Sequence, residues 1–254
     1  MSMLFSRAVN LKEVKKVGLV PYADLINHSP YVTSFFSFPN LPLSDEREVV
    51  LYSDRTYRQN DQVLISYGQK TNSDLLLLYG FTCDRNLFDE VDLTVKVDPS
   101  DPMYEQKVSF LENQGLQAAM SFPLLIDRYS SELLQYLRLC CITPDMGDIS
   151  SFQYKEPISK TNERAALSAL RDGCIFALSQ YPESEEEDAA LMKNTKMFAM
   201  LSFRQRQAIK LRRTEKTILL KTIRTVEVAI ETLDGTRPPR NPNEPLYPEP
   251  QAWF

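Results

Sequence analysis

The stretch LVPYADLINHSP, residues 19–30, holds His28, the only histidine of a 254-residue chain, and it is followed further along by DQVLISYGQKTNSDLLLLYGF, residues 61–81. Each begins as a short run rich in β-branched and aromatic residues and closes at Pro, Asn or Gly, the pattern of a strand that ends in a turn. Taken singly, the residues carry little. A lone His between Asn27 and Ser29 is more often a hydrogen-bonded turn residue than a functional one. Tyr67 in VLISYG reads equally as a core tyrosine of a strand, and Tyr79 and Phe81 as ordinary core aromatics. Asp24 and Asn72 are best read as capping or turn residues.

Composition removes several classes of chemistry. The chain is 43% hydrophobic and 25% charged, which suffices for a sizeable core in one or two domains. Its 29 basic and 34 acidic residues leave a formal charge of −5, with no global attraction for nucleic acid or an anionic membrane. No run approaches the roughly 18–20 apolar residues of a membrane span. With one histidine, and Cys83, Cys140, Cys141 and Cys174 lacking C-x-x-C spacing, no zinc site is recognisable, no metal is expected, and a reduced compartment fits best. The 7 glycines form neither G-x-G-x-x-G nor G-x-x-x-x-G-K, so the usual phosphate-cradling loops are missing.

Outward from the two motifs, residues 16–23, 47–53 and 62–68 read as strands, and Thr71 or Asn72 as the cap of a short helix carrying Leu75 to Leu78. VDLTVKV, residues 91–97, alternates apolar and polar positions and is the last strand expected. A domain boundary belongs near residues 86–102, where DPSDP introduces helical periods. Leu167, Leu170, Cys174, Leu178 and Tyr181 step by three and four, with Thr161 as cap and Pro182 beyond the end. Leu219, Ile223, Val226, Ile230 and Leu233 define a second long helix closed by Gly235. The acidic run PESEEEDAAL between them predicts a solvated loop entering a helix N-terminus. The tail RPPRNPNEPLYPEPQAWF is too rich in proline to be helical and reads as extended or disordered.

In order and spacing, the two motifs followed by a helical half resemble the SET-domain protein-lysine methyltransferases of the Rubisco large-subunit methyltransferase (LSMT) type. The resemblance implies an α+β chain: the C-terminal part of a β-rich SET domain over residues 1–88, a helical substrate-binding domain over residues 89–235, and a Pro-rich tail over residues 236–254. It implies an S-adenosylmethionine-dependent N-methyltransferase with Asn27, His28 and Phe81 at the methyl donor, Tyr67 as catalytic residue and Tyr79 lining the target-lysine channel. The implied partner is a protein presenting a lysine to a monomeric enzyme, with no nucleic acid and no membrane. A plant protein of the chloroplast is implied, with the cytoplasm as the other location.

The chemistry accounts for aromatic residues in such a site. Transfer to a lysine needs a neutral amine, although the free side chain has a pKa near ~10.4, and apolar enclosure beside a positive charge lowers it. Little acid–base apparatus is then required. Two departures accompany the resemblance. The family's SET domain begins upstream of MSMLFSRAV, so the SET region is expected to be partial, with exposed apolar surface and strand edges. Where members that methylate Rubisco carry Ser-Arg-Ala-Phe, the chain is read as Ser2-Met3-Leu4-Phe5, so an arginine near the donor is expected to be missing.

Two other readings stay open. In the first, the chain is a non-catalytic module that binds protein through its helical half. In the second, the basic stretch RQRQAIKLRRTEK binds a phosphate backbone through Arg204, Arg206, Lys210, Arg212 and Arg213, although no aromatic residues interleave it to stack bases.

Overall fold

A computed structural model describes residues 6–11, 15–37, 49–147, 149 and 156–236. Ser2-Met3-Leu4-Phe5 and the proline-rich tail from residue 237 lie outside the described residues. The architecture is α+β, as expected, and the chain divides into two compact units.

The first unit comprises Met1–Asp89 together with Ser202–Leu211. Among the described residues its strands pair two at a time. β1 (Ala8–Leu11) runs antiparallel to β2 (Lys16–Leu19), with Ala8 opposite Leu19 and Leu11 opposite Lys16. A 3-10 turn at Ala23–Leu25 leads into β3 (Asn27–His28). β4 (Phe35–Ser37) pairs antiparallel with β5 (Val50–Tyr52), and the Phe35 and Tyr52 rings stack with centroids 5.3 Å apart. β6 (Leu64–Ile65) then lies parallel to β3, with Asn27 opposite Leu64 and His28 opposite Ile65. A parallel partner cannot be reached through a tight hairpin, so the chain travels through β4 and β5 before it returns in the same direction.

The helix expected after β6 is α1 (Asn72–Tyr79). Thr71 is its N-cap: the hydroxyl oxygen accepts the Asp74 N–H at 3.0 Å, satisfying one orphan donor of the first turn. Gly80 ends it with φ +84°, a left-handed conformation that glycine adopts without Cβ strain, and its N–H reaches the carbonyls of Leu75 and Leu76.

The second unit comprises Glu90–Leu201 with Arg212–Phe254. It opens on β7 (Glu90–Lys96), which pairs over its whole length with β8 (Ala119–Leu125). β8 was not anticipated, because AMSFPLL lacks alternation and contains Pro123, which argues against a strand. The ladder has only two strands, so Pro123, opposite Asp92, can sit at an edge where its missing N–H is tolerated. The helices are α2 (Tyr104–Asn113), α3 (Ser131–Cys140), α4 (Lys160–Ser179), α5 (Glu185–Lys193), α6 (Thr195–Met200) and α7 (Phe203–Asp234), the first turns of α7 belonging to the first unit.

The expected stripes form the core of this unit: Leu167, Leu170 and Cys174 of α4 and Leu219, Val226 and Ile230 of α7 are buried with Leu93, Phe122, Leu124, Leu133 and Leu137. Ser159, not Thr161, caps α4. Several buried polar groups of this unit are paired. The fully buried Lys107 ammonium donates to Asp101 at 2.5 Å and to the Cys140 carbonyl at 2.8 Å. Arg138 grips Glu163 with two hydrogen bonds of 2.6 and 2.8 Å. The cysteines are free, and burial pushes the thiols of Cys140 and Cys174 up to about 12.

The acidic run is less solvated than its sequence suggests. Ser184 and Glu187 close a capping box at the start of α5, but Asp188 is 1% exposed. Its carboxylate accepts from Arg212 Nε at 2.9 Å and from the buried Lys216 ammonium at 2.5 Å. Arg212 also bonds Glu183 at 2.6 Å, and Arg213 bonds Glu185 at 2.8 Å. Much of the basic stretch therefore neutralises the acidic run of its own unit. Among the described residues no helix is long and apolar enough to cross a membrane.

Candidate functional site

The β3–β6 pairing brings the two sequence motifs together. Directly after the paired residues, the Ser29 N–H donates to the Ile65 carbonyl at 3.0 Å. Two residues past Ile65, the Tyr67 N–H donates to His28 Nδ1 at 3.0 Å, and the Tyr67 hydroxyl donates to the Ile26 carbonyl at 2.7 Å. The side chains of each motif thus bond the main chain of the other.

Four rings meet there. The His28 and Tyr67 rings stack with centroids 5.0 Å apart, Tyr67 and Tyr79 lie at 4.8 Å, and Tyr67 meets Phe81 edge-on at 6.5 Å. His28 and Tyr79 are each 6.3 Å from Phe81. Tyr79 arrives as the last residue of α1, and the left-handed turn at Gly80 delivers Phe81. Asn27, the remaining candidate, is exposed beside this cluster on β3.

The electrostatics of the cluster favour neutral groups. Because Nδ1 of His28 accepts a hydrogen bond, the neutral ring carries its proton on Nε2, which is buried and finds no partner among the described residues. Burial lowers the His28 pKa below its ordinary value. Burial, reinforced by neighbouring Tyr79, raises that of Tyr67, and burial with nearby Asp74 raises that of Tyr79. An ionised phenol is thus disfavoured on both tyrosines. Among the described residues no cluster of His, Cys, Asp or Glu could hold a metal ion.

An arginine is present after all. Ser6-Arg7-Ala8 carries the residues sought at positions 2–5, with Val9 in place of the phenylalanine. The Arg7 guanidinium donates to the Asp24 carbonyl at 2.9 Å and to its carboxylate at 3.3 Å, close enough to act electrostatically on Tyr67. Asp24 is therefore more than a turn residue. Asn72 is more than a cap: it is 1% exposed, its Nδ2 donates to Asp89 at 2.6 Å and to the Cys83 carbonyl at 2.9 Å, and its Oδ1 accepts the Cys83 N–H at 2.7 Å. Asp89 and Gln207, which hold the loop after Phe81, carry no local sequence signal.

Known proteins resemble the chain in sequence and fold. The family of Rubisco LSMT substrate-binding domains matches residues 98–219. The structure superposes on the SET domain of LSMT bound to lysine and AdoHcy with a TM-score of 0.71, at 27% identity over 92% of this chain and 55% of that one. The chain is similar in sequence and fold to the SET-domain methyltransferases of the Rubisco LSMT type.

A structure of Rubisco LSMT bound to AdoMet matches the chain with a TM-score of 0.69. Actin-histidine N-methyltransferases of Papio anubis and Homo sapiens are each 31% identical to it over 228 residues, 84% of this chain and 36% of the relative. The chain thus spans about a third of the length of these curated relatives. Both are animal proteins, which overturns the expectation of a plant, chloroplast protein; an animal cell has no such compartment.

Proposed function

We propose that the chain carries the donor-binding and substrate-recognising part of an S-adenosylmethionine-dependent protein-lysine N-methyltransferase. The observation that supports this most is the convergence of His28, Tyr67, Tyr79 and Phe81 at the β3–β6 pair, from segments far apart in sequence. Residues 1–88 are read as the C-terminal part of the SET domain, residues 89–235 as the substrate-binding domain and residues 236–254 as a tail. The animal relatives fit a cytoplasmic location, and a monomer acting on a protein substrate is the simplest arrangement.

The residues present fit the donor. Asn27 offers an exposed amide, β3 offers main-chain groups beside His28, and the Phe81 ring offers an apolar face for a heterocycle. When bound, S-adenosylmethionine supplies a methyl group on a positively charged sulfur. The chain's own contribution is enclosure and orientation. Tyr67 and Tyr79 stay neutral, so no anion stabilises an ammonium at the target nitrogen, and the aromatic walls disfavour its charged form. The Tyr67 hydroxyl proton is committed to the Ile26 carbonyl, which leaves the oxygen lone pairs to accept an N–H of the neutral amine and aim its free electron pair.

A second reading, transfer to a histidine, is favoured by the 31% identity to actin-histidine N-methyltransferases. Calorimetric titration of the chain with S-adenosylhomocysteine, followed by mass spectrometry of protein substrates offered labelled donor, separates the possibilities. Label on lysine supports the main reading, and label on histidine alone replaces it with the second. A chain that captures protein but has no affinity for S-adenosylhomocysteine is the non-catalytic module instead.

A further inference from the structure

The loop that delivers Phe81 is held before the ring by a main-chain turn and after it by side-chain hydrogen bonds. On one side is the Gly80 cap, whose left-handed turn fixes the direction in which the chain leaves α1. On the other, Thr82 and Cys83 are anchored in succession. Gln207 Oε1 accepts both the Thr82 N–H at 2.8 Å and the Thr82 hydroxyl at 2.7 Å. The Asn72 amide then grips the N–H and the carbonyl of Cys83 together, as a neighbouring strand would.

The anchors are themselves anchored. Gln207 is 7% exposed, and Asn72 and Asp89 are buried. The Asp89 carboxylate accepts the Asn72 main-chain N–H at 2.6 Å, its Nδ2 at 2.6 Å and Asn86 Nδ2 at 3.2 Å. Asn86 Nδ2 also donates to the Lys70 carbonyl at 2.7 Å. Charge-assisted hydrogen bonds of this kind are short, directional and costly to break in a buried place. Gln207 lies in Ser202–Leu211, the piece of α7 that belongs to the same unit as the site, inside the basic stretch whose functional reading was nucleic-acid binding.

We propose that Gln207, with the Asn72–Asp89 pair, is a positioning residue for Phe81: it fixes the main chain after the ring and so sets the Phe81 edge against Tyr67. Its consequence for donor affinity rests on the reading that Phe81 packs on the donor. The geometric part does not, because the ring arrangement is measurable without any ligand.

The test compares two substitutions. Gln207→Leu keeps the bulk and removes the acceptor, leaving the Thr82 N–H unpaired, whereas Gln207→Glu keeps an oxygen in the same place. Nuclear Overhauser contacts between the Tyr67 and Phe81 rings are recorded in selectively labelled whole chain, together with calorimetric titration by S-adenosylhomocysteine. Gln207→Leu is expected to lose the ring contacts and to weaken binding by about tenfold, the scale of one unpaired buried donor, while Gln207→Glu retains both. Should Gln207→Leu fail to fold, Thr82→Val removes only the hydroxyl bond and is expected to weaken the same contacts. Ring contacts that survive Gln207→Leu, or that vanish equally in Gln207→Glu, overturn the proposal. If the contacts respond as expected but the unsubstituted chain binds no S-adenosylhomocysteine, the positioning role stands and the donor reading falls. If the chain binds and the contacts do not respond, the reverse holds.

Discussion

Lowering the pH should open the site at one identifiable hydrogen bond. His28 Nδ1 accepts the Tyr67 N–H at 3.0 Å, and a proton added to the ring must go to Nδ1, because Nε2 already carries one. Protonation therefore sets one N–H against another and leaves the Tyr67 amide unpaired, at a cost of about 1–3 kcal/mol, or roughly 5- to 150-fold in the population of the closed form. The direction follows from burial, which holds the folded His28 pKa below 6.5. As the pH falls through the unfolded value the unfolded chain takes up a proton first, so His28's contribution is fully present above about pH 6.5 and is lost as the pH drops through the folded value. Amide hydrogen exchange of Tyr67, corrected for the intrinsic pH dependence of exchange, measures this directly. The Ser29 amide, bonded to the Ile65 carbonyl one residue along β3, is the internal control. Protection at Tyr67 should fall at least about fivefold more than protection at Ser29 between neutral and mildly acid pH. Equal behaviour of the two amides refutes the assigned acceptor role of Nδ1.

Three other outcomes are expected. Tyr67→Phe removes the hydroxyl proposed to orient the target nitrogen, so turnover in a methyl-transfer assay should drop sharply while S-adenosylhomocysteine affinity stays within a few-fold; unchanged turnover excludes Tyr67 from the chemistry. Asn27→Ala should weaken S-adenosylhomocysteine binding in calorimetry by about 1–3 kcal/mol through a lost hydrogen bond, and unaltered affinity removes Asn27 from the donor site. Asp188→Ala leaves the Lys216 ammonium, 1% exposed, without its carboxylate, so urea unfolding should report a loss of about 3–5 kcal/mol; a loss under 1 kcal/mol means that the carbonyls of Glu183 and Ser184 suffice to hold it.

What the sequence revealed follows the range of the forces involved. The stripes of α4 and α7 were legible because burial repeats with the helical period, and the Thr71 cap because it acts within one turn. Arg7 was legible too, in Ser6-Arg7-Ala8, but was sought at the wrong positions. β8 was hidden by Pro123, whose missing N–H is tolerable only because the ladder has two strands, a fact of pairing that no local pattern records. The role of Gln207 was out of reach: its partner Thr82 lies 125 residues away, and a glutamine on a basic helix looks like any surface residue. Taken alone the acidic run reads as solvated and the basic run as a solvated helix face or docking surface more than a phosphate-binding one, whereas the structure has them neutralise one another through Arg212, Arg213, Lys216 and Asp188.

The same contrast bears on how the site is held. The second unit has a broad apolar core, so its geometry is over-determined by packing. In the first unit β3 and β6 share only two paired residues, and a pairing that short has little stability of its own. What fixes it is directional, a ring nitrogen on a main-chain N–H and a phenol on a carbonyl, while a side-chain amide across a peptide group fixes the loop after Phe81. Each such bond contributes only about 1 kcal/mol net, yet each constrains distance and angle far more tightly than apolar contact does. That division suits the proposed transfer to a neutral amine, which needs little proton transfer. Precision comes from hydrogen bonds that involve uncharged groups at the rings, while the charged Asp89 braces the loop through Asn72.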